Sequence, residues 1–148
     1  MNMRYLLLIL FTSFLNISFA CTCINNKPLS EKEFKSYNLV VKGKIVSVDT
    51  VNGEKKILIR VTDIYKGSKG QSEILIVTAK DNNLCGIDPR VNETWLIYTL
   101  EMAQYNYYTD ACTKSKSLDK ERSGAAAKEL KTELKFLEKK KVKTKSIL

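Results

Sequence analysis

The apolar positions of this chain first form one long run, then take a brief helical spacing, then alternate with polar residues, and finally return to a helical stripe. The opening run is Tyr5–Leu15, with Leu6-Leu7-Leu8-Ile9-Leu10 at its centre. After Cys21-Thr22-Cys23, the stretch Pro28-Leu29-Ser30-Glu31-Lys32-Glu33-Phe34 carries a capping-box pattern at Ser30 and Glu33. Leu29 and Phe34 stand at the staple positions around it, which predicts a short helix over 31–37. From Asn38 the period becomes two: Val41, Gly43 and Ile45 alternate with Lys42 and Lys44, as in a half-buried strand. Val51-Asn52-Gly53-Glu54 makes a turn. Ile57, Ile59 and Val61 continue the alternation until Lys66-Gly67. Three further strands are predicted over Glu73–Ala79, Thr94–Leu100 and Tyr105–Ala111, the last ending at Cys112. A polar loop, Lys80–Leu84, separates the first two of these and leads into Cys85-Gly86.

Past Cys112 the pattern is helical again. Ala125-Ala126-Ala127 opens a strong helix former, with Leu130, Leu134 and Leu137 on one stripe and Lys or Glu between them. Lys139–Lys145 reads as a frayed, solvated basic end. Five short strands separated by turn signals predict a mostly β fold, a small closed or partly open barrel with a short N-terminal helix and a C-terminal amphipathic helix; the spacing is also compatible with a sandwich, though five strands are few for one. The expected organisation is 1–20 as a leader, 21–113 as the barrel and 114–148 as a basic helix and tail.

Composition narrows the function. The chain has 148 residues, four cysteines, no histidine and a formal net charge of +9. The length fits one domain, and 44% hydrophobic residues is enough for a core. Without histidine there is no Ser-His-Asp or Cys-His arrangement, no His-ligated zinc and no His general base. No paired-carboxylate motif replaces them, so an enzyme is not expected, and no cofactor is implied. The charge is uneven: residues 21–113 net only +1, while 114–148 net +7. A near-neutral barrel on an exported chain argues against nucleic acid as a partner. The lysine excess of the tail offers attraction to an anionic envelope surface, weakening with salt.

Residues 1–20 have the form of a secretory signal. Arg4 supplies the positive start, the apolar run follows, and Ser18-Phe19-Ala20 sets small residues before a cut between Ala20 and Cys21. Thr12, Ser13 and Asn16 interrupt the run, which is short of the ~20 residues needed to span a bilayer. A cysteine at the cut also fits lipoprotein processing. Position −3 is Ser18 rather than leucine, however, and lipidation would leave three cysteines, an odd number. Simple secretion to an extracellular or periplasmic space is the expectation, with four cysteines free to form two bridges. Asn92-Glu93-Thr94 is a glycosylation sequon, meaningful only where the host glycosylates.

Zinc motifs bring pairs of close ligands, and here only Cys21 and Cys23 are close, so disulfides are the better reading. A Cys21–Cys23 bridge would close a very small strained ring, which leaves two pairings open.

A leader ending before Cys-Thr-Cys, the strand Leu39-Val40-Val41-Lys42-Gly43-Lys44-Ile45-Val46-Ser47-Val48, the phrase Ile64-Tyr65-Lys66-Gly67, then Cys85-Gly86, the aromatic strand Trp95-Leu96-Ile97-Tyr98 and Cys112 before a helix together resemble the netrin-like domain. In particular they resemble the N-terminal domain of the tissue inhibitors of metalloproteinases and its short bacterial relatives. The resemblance covers about residues 21–135. It implies an OB-type barrel with the pairs Cys21–Cys85 and Cys23–Cys112. It also implies an inhibitory strip of Cys21, Thr22, Cys23 and Ile24, flanked by Asn82, Asn83, Leu84 and Cys85. In that family the N-terminal cysteine, here Cys21, chelates the target protease's zinc through its α-amino and carbonyl groups, and the next residue, here Thr22, enters the specificity pocket. A secreted, monomeric metalloendopeptidase inhibitor is therefore the leading expectation. Three features differ: the third bridge of the animal domain and a separate disulfide-rich C-terminal domain are not expected here, and Ile24-Asn25-Asn26 replaces a proline-containing stretch. The alternative is a non-inhibitory extracellular module that binds a cell-envelope or matrix component, with Cys-Thr-Cys serving only as a staple.

Overall fold

The computed structural model describes residues 21, 23, 27–67, 70–119 and 127–141. The leader, Ala20, Thr22 and Ile24 lie outside the described residues, as do 142–145 of the basic end. Helix α1 spans Glu31–Ser36. The strands are β1 (Leu39–Val51), β2 (Glu54–Lys66), β3 (Glu73–Ala79), β4 (Thr94–Met102), β5 (Tyr105–Tyr108) and β6 (Lys116–Ser117), followed by helix α2 (Ala127–Glu138).

Strands β1 to β5 close into a ring in the order β1-β2-β3-β5-β4, with β4 returning to β1. This is the mostly β, OB-like arrangement expected. The β1–β2 turn has Asn52 and Gly53 both at positive φ, 53° and 82°, as a two-residue hairpin loop of type I′ demands. Three register shifts in the β1–β2 ladder let β1 curl, so that Leu39–Lys44 also pairs with Thr94–Thr99 of β4. Gly43 sits at the tightest point: a Cβ there would lie 2.4 Å from the Arg60 carbonyl oxygen.

Apolar residues on these strands feed two cores. Leu39, Val41, Ile45, Ile57, Ile59, Ile74, Ile76, Trp95 and Ile97 fill the ring. Val40, Leu96 and Tyr98 point the opposite way, onto Phe34 and Tyr37 at α1 and Leu137 of α2. Burial on both faces explains why the runs Leu39-Val40-Val41 and Trp95-Leu96-Ile97-Tyr98 do not alternate.

Several expectations are revised. The Ser30 hydroxyl accepts from the Glu33 N–H at 3.2 Å, but the Glu33 carboxylate does not complete the capping box. It accepts from the Tyr37 hydroxyl instead and lies 3.7 Å from Lys114 Nζ. Strand β5 stops at Tyr108, short of Ala111, because the Asp110 carboxylate captures the N–H groups of Cys112 and Thr113, both at 2.8 Å, and turns the chain. Strand β6, too short to show a period, pairs with Trp95 and Leu96. Between β5 and β6 on that edge, the Ser115 hydroxyl accepts from the Tyr98 N–H. On α2 Leu137 is fully enclosed and the half-buried Leu134 and Phe136 pack beside it, while Leu130, also half-buried, is not part of that cluster.

The phrase Ile64-Tyr65-Lys66-Gly67 ties β2 to both helices. Lys66 Nζ donates to the carbonyls of Phe34, Lys35 and Tyr37, satisfying the open C-terminus of α1. The Tyr65 hydroxyl donates to Glu138 of α2 at 3.3 Å. Part of the basic end expected to be solvated is engaged: Lys140 pairs with Glu31 at 2.8 Å and Lys141 pairs with Asp63. Burial alone would raise the Asp63 carboxyl, but Lys141 and Lys42 outweigh it and hold its pKa below the ordinary carboxylate range.

Two expectations for stability follow from this packing. Leu137→Ala should destabilise the whole protein by about 2–5 kcal/mol. In urea denaturation one cooperative transition should shift; an unchanged midpoint would mean that α2 is not part of the folding unit. The folded pKa of Asp63 is depressed, so its stabilisation is complete above the unfolded value of about 3.9 and is lost as pH falls through the lower folded value. Asp63→Asn should therefore cost stability at about pH 7, and the cost should shrink as pH falls below the unfolded value, as a series of denaturation measurements against pH would show.

Candidate inhibitory ridge

The two cysteines of the N-terminal strip are bridged to two neighbouring loops of the ring. Cys21 joins Cys85 with their Cα atoms 5.5 Å apart, and Cys23 joins Cys112 at 5.0 Å. This is the pairing that the resemblance implies, and no described cysteine is free. The bridges span 64 and 89 residues of sequence. Loops of that size lose on the order of 4 kcal/mol of unfolded-state entropy per bridge in the chain-entropy model.

The partners of the strip are themselves fixed. Asn82–Leu84 forms a single 3₁₀ turn after β3. Its end is held by Asp81, whose carbonyl accepts from the N–H groups of Leu84 and Gly86 and whose carboxylate accepts from that of Leu84 at 3.1 Å. Cys85 has φ 64°, a left-handed conformation uncommon for a non-glycine residue. At Gly86 a Cβ would lie 2.1 Å from the Ala79 carbonyl oxygen, so only glycine passes there. The Ala111 N–H donates to the Cys85 carbonyl at 2.7 Å, which locks the neighbourhoods of the two bridges together.

These contacts gather part of the sequence-derived strip. Cys21 Sγ lies 3.8 Å from the Asn83 carbonyl oxygen. Because the sulfur is oxidised it has no hydrogen to donate, so this is packing and not a hydrogen bond. Leu84 projects outward at 61% exposure, more than any other large apolar residue among the described residues. Cys21, Asn83, Leu84 and Cys85 thus form one ridge, with Cys23 anchored behind it to Cys112. Asn92 of the sequon is an exposed turn residue with φ 73°. Among the described residues no cluster of His, Cys, Asp or Glu side chains could hold a metal ion, and no helix is long and apolar enough to cross a membrane.

One residue at the ridge was not singled out from sequence. Lys114, whose side chain is 8% exposed, donates from Nζ to the Lys27 carbonyl at 2.7 Å and reaches Glu33 of α1. It fastens the chain where the strip ends, as a third tie beside the two bridges. Burial, together with the Glu33 charge, pushes the Tyr37 hydroxyl up, so it stays protonated and donates to that carboxylate. A lysine two residues after a cysteine gives no period or motif that would have revealed this role.

A closed strand ring bearing a Cys-x-Cys strip stapled by two long-range bridges is the arrangement expected of a netrin-like domain of the metalloproteinase-inhibitor type. Sequence comparison points the same way. The chain is 30% identical over 101 residues to metalloproteinase inhibitor 3 of Scyliorhinus torazame, a match covering 65% of this chain and 46% of that protein. The chain therefore spans about half the length of that curated relative. No family model matches it. The disulfides and this similarity fit an extracellular protein.

Removing the third tie should be measurable. Lys114→Met leaves the Lys27 carbonyl and the Glu33 carboxylate without their shared donor and is expected to cost about 1–3 kcal/mol. Thermal denaturation with both bridges intact checks it, and an unchanged midpoint would show that Lys114 contributes nothing.

Proposed function

We propose that the mature chain, beginning at Cys21 after removal of residues 1–20, is a secreted inhibitor of zinc metalloendopeptidases. On this reading the free α-amino group and the carbonyl oxygen of Cys21 bind the target enzyme's zinc. Thr22 enters the adjoining specificity pocket, and Asn83 and Leu84 lie along the cleft. Cleavage after Ala20 creates the reactive amine, so the leader keeps the precursor inactive.

The observation that carries this reading is the ridge itself. Cys21 is held beside Asn83 by its bridge to Cys85, and the exposed Leu84 offers an apolar side chain next to it. A catalytic zinc keeps an open position for its attacking water. A chelating amine and carbonyl would fill that position and displace the water. An α-amino group has a pKa near 8, close enough to neutrality for the metal to displace its proton. The bridges hold Cys21 and Cys23 in place before binding, which lowers the ordering entropy lost on association. The similarity to metalloproteinase inhibitor 3 also supports an inhibitor-like role. A target of this kind supplies the metal, and the inhibitor needs none of its own.

The reading is checked with two forms of the protein, one starting at Cys21 and one retaining Ala20, each titrated against a panel of zinc endopeptidases. Only the first should inhibit, because the extra residue converts the amine to an amide. Equal inactivity of both across the panel would sink the proposal. Mass spectrometry of the native N-terminus gives a second check, since an acylated Cys21 amine cannot chelate.

A further inference from the structure

The ring is closed on four sides by multi-residue ladders, but β3 and β5 meet at a single parallel bridge, Val77 with Tyr108. Thr109 N–H donates to the Val77 carbonyl at 2.9 Å, so the backbone groups of Val77 face β5. Ser72, five positions earlier, accepts from Val61 of β2. By the alternation of a strand, Ile74 and Ile76 also bond toward β2, whereas Glu73 and Leu75 turn their N–H and C=O groups toward β5. No β5 residue pairs with either of them. The strands part here around a groove of about 330 Å³, lined among others by Gln71, Leu75, Gln104, Tyr105, Asn106 and Tyr107.

We propose that this seam between β3 and β5 is a docking edge for an extended, uncharged polypeptide segment of a partner protein, which adds there as a strand. Unpaired strand edges are templates for another chain. The charge balance selects the occupant. Glu73 is compensated by Arg60 at 2.9 Å, and Glu54, at the far side of Tyr105, accepts the Tyr105 hydroxyl. The remaining polar lining is the Tyr107 hydroxyl and the amides Gln71, Gln104 and Asn106, neutral groups that match the donors and acceptors of peptide groups and offer no counter-charge to a charged polymer. The walls are set in advance: Tyr105 and Tyr108 stack at 6.3 Å, and Tyr107 packs on the ring core. Leu75, 52% exposed, lies on the outer face of the edge and selects an apolar residue in the middle of the segment. The seam is built from residues separate from the Cys21 ridge, so this inference stands whether or not the protein inhibits a protease.

The test uses the mature, disulfide-intact protein labelled for NMR. In the free protein the amides of Glu73 and Leu75 should exchange with solvent about a hundredfold faster than those of Ile74 and Ile76; equal protection would overturn the proposal. The probe is a library of capped, uncharged hexapeptides alternating Thr or Ser with Val, Ile or Leu. At least one member should shift the Leu75 and Tyr107 amides at up to about 1 mM. N-methylation of its backbone should weaken binding about tenfold or more. Leu75→Lys should weaken it similarly while leaving the melting temperature unchanged. No shift at that concentration, or affinity indifferent to N-methylation, would overturn strand addition. Shifts of the same amides by cellohexaose in place of the peptides, or by raising the protein concentration alone, would overturn it in favour of a neutral glycan or a second copy of the chain.

Discussion

Where β1 runs beside β4, Leu39–Val41 against Ile97–Thr99, the pair is buried on both faces, and most of the molecule is arranged around that fact. Val41, Trp95 and Ile97 fill the ring from one side, while Val40, Leu96 and Tyr98 need a cover on the other. The two helices provide it. Glu133 of α2 then becomes buried, accepts from the Tyr98 hydroxyl at 2.5 Å and pairs with Lys116 of β6 at 2.7 Å. Burial and the Glu133 charge push the Tyr98 pKa far up, so the hydroxyl remains a donor. Exposing this second core would strand apolar surface on the outside of the ring, where a two-stranded contact alone cannot stabilise it.

That arrangement also places the ridge. Because β4 is shared between β1 on one edge and β5 and β6 on the other, the chain after β5 must turn back beside β4, and Asp110 makes that turn directly before Cys112. The bridge to Cys23 and the Lys114 tie to Lys27 both start from this turn. The bridge to Cys21 starts from the loop after β3, which is joined to the same turn through Cys85 and Ala111. The strip is thus mounted on two loops of the ring that hydrogen-bond to each other. The single-bridge seam has the same origin: β5 ends so soon after leaving β4 that it meets β3 at only one point.

Much of this was legible in the chain. Alternation over Val41–Ile45 and Ile57–Val61 identified strands because one face of each is wetter than the other, and the apolar run Ile74-Leu75-Ile76-Val77 identified a third. Asn52-Gly53 identified the hairpin because both residues tolerate positive φ. The leader pattern and the close pair Cys21 and Cys23 drew attention to the strip. Less legible were the features made by long-range partners: the early end of β5, the two-residue β6, the diversion of Glu33 from its capping box, and the burial of Lys114. Each depends on a side chain meeting a backbone group dozens of residues away, which no local period records.

The sequence by itself determined where β1 to β4 and the two helices lie, because these rest on local backbone preference and on which side chains avoid water. Between the two plausible disulfide pairings, local geometry was silent and only a family resemblance made a choice. Tertiary structure decided what the lysines after Cys112 do: Lys114, Lys116, Lys140 and Lys141 meet Glu33, Glu133, Glu31 and Asp63. A tail that looks uniformly basic when counted is, over these residues, a set of partners for the ring and its helices. Charge is additive along a chain, but its consequence depends on distance and burial, and the fold sets both.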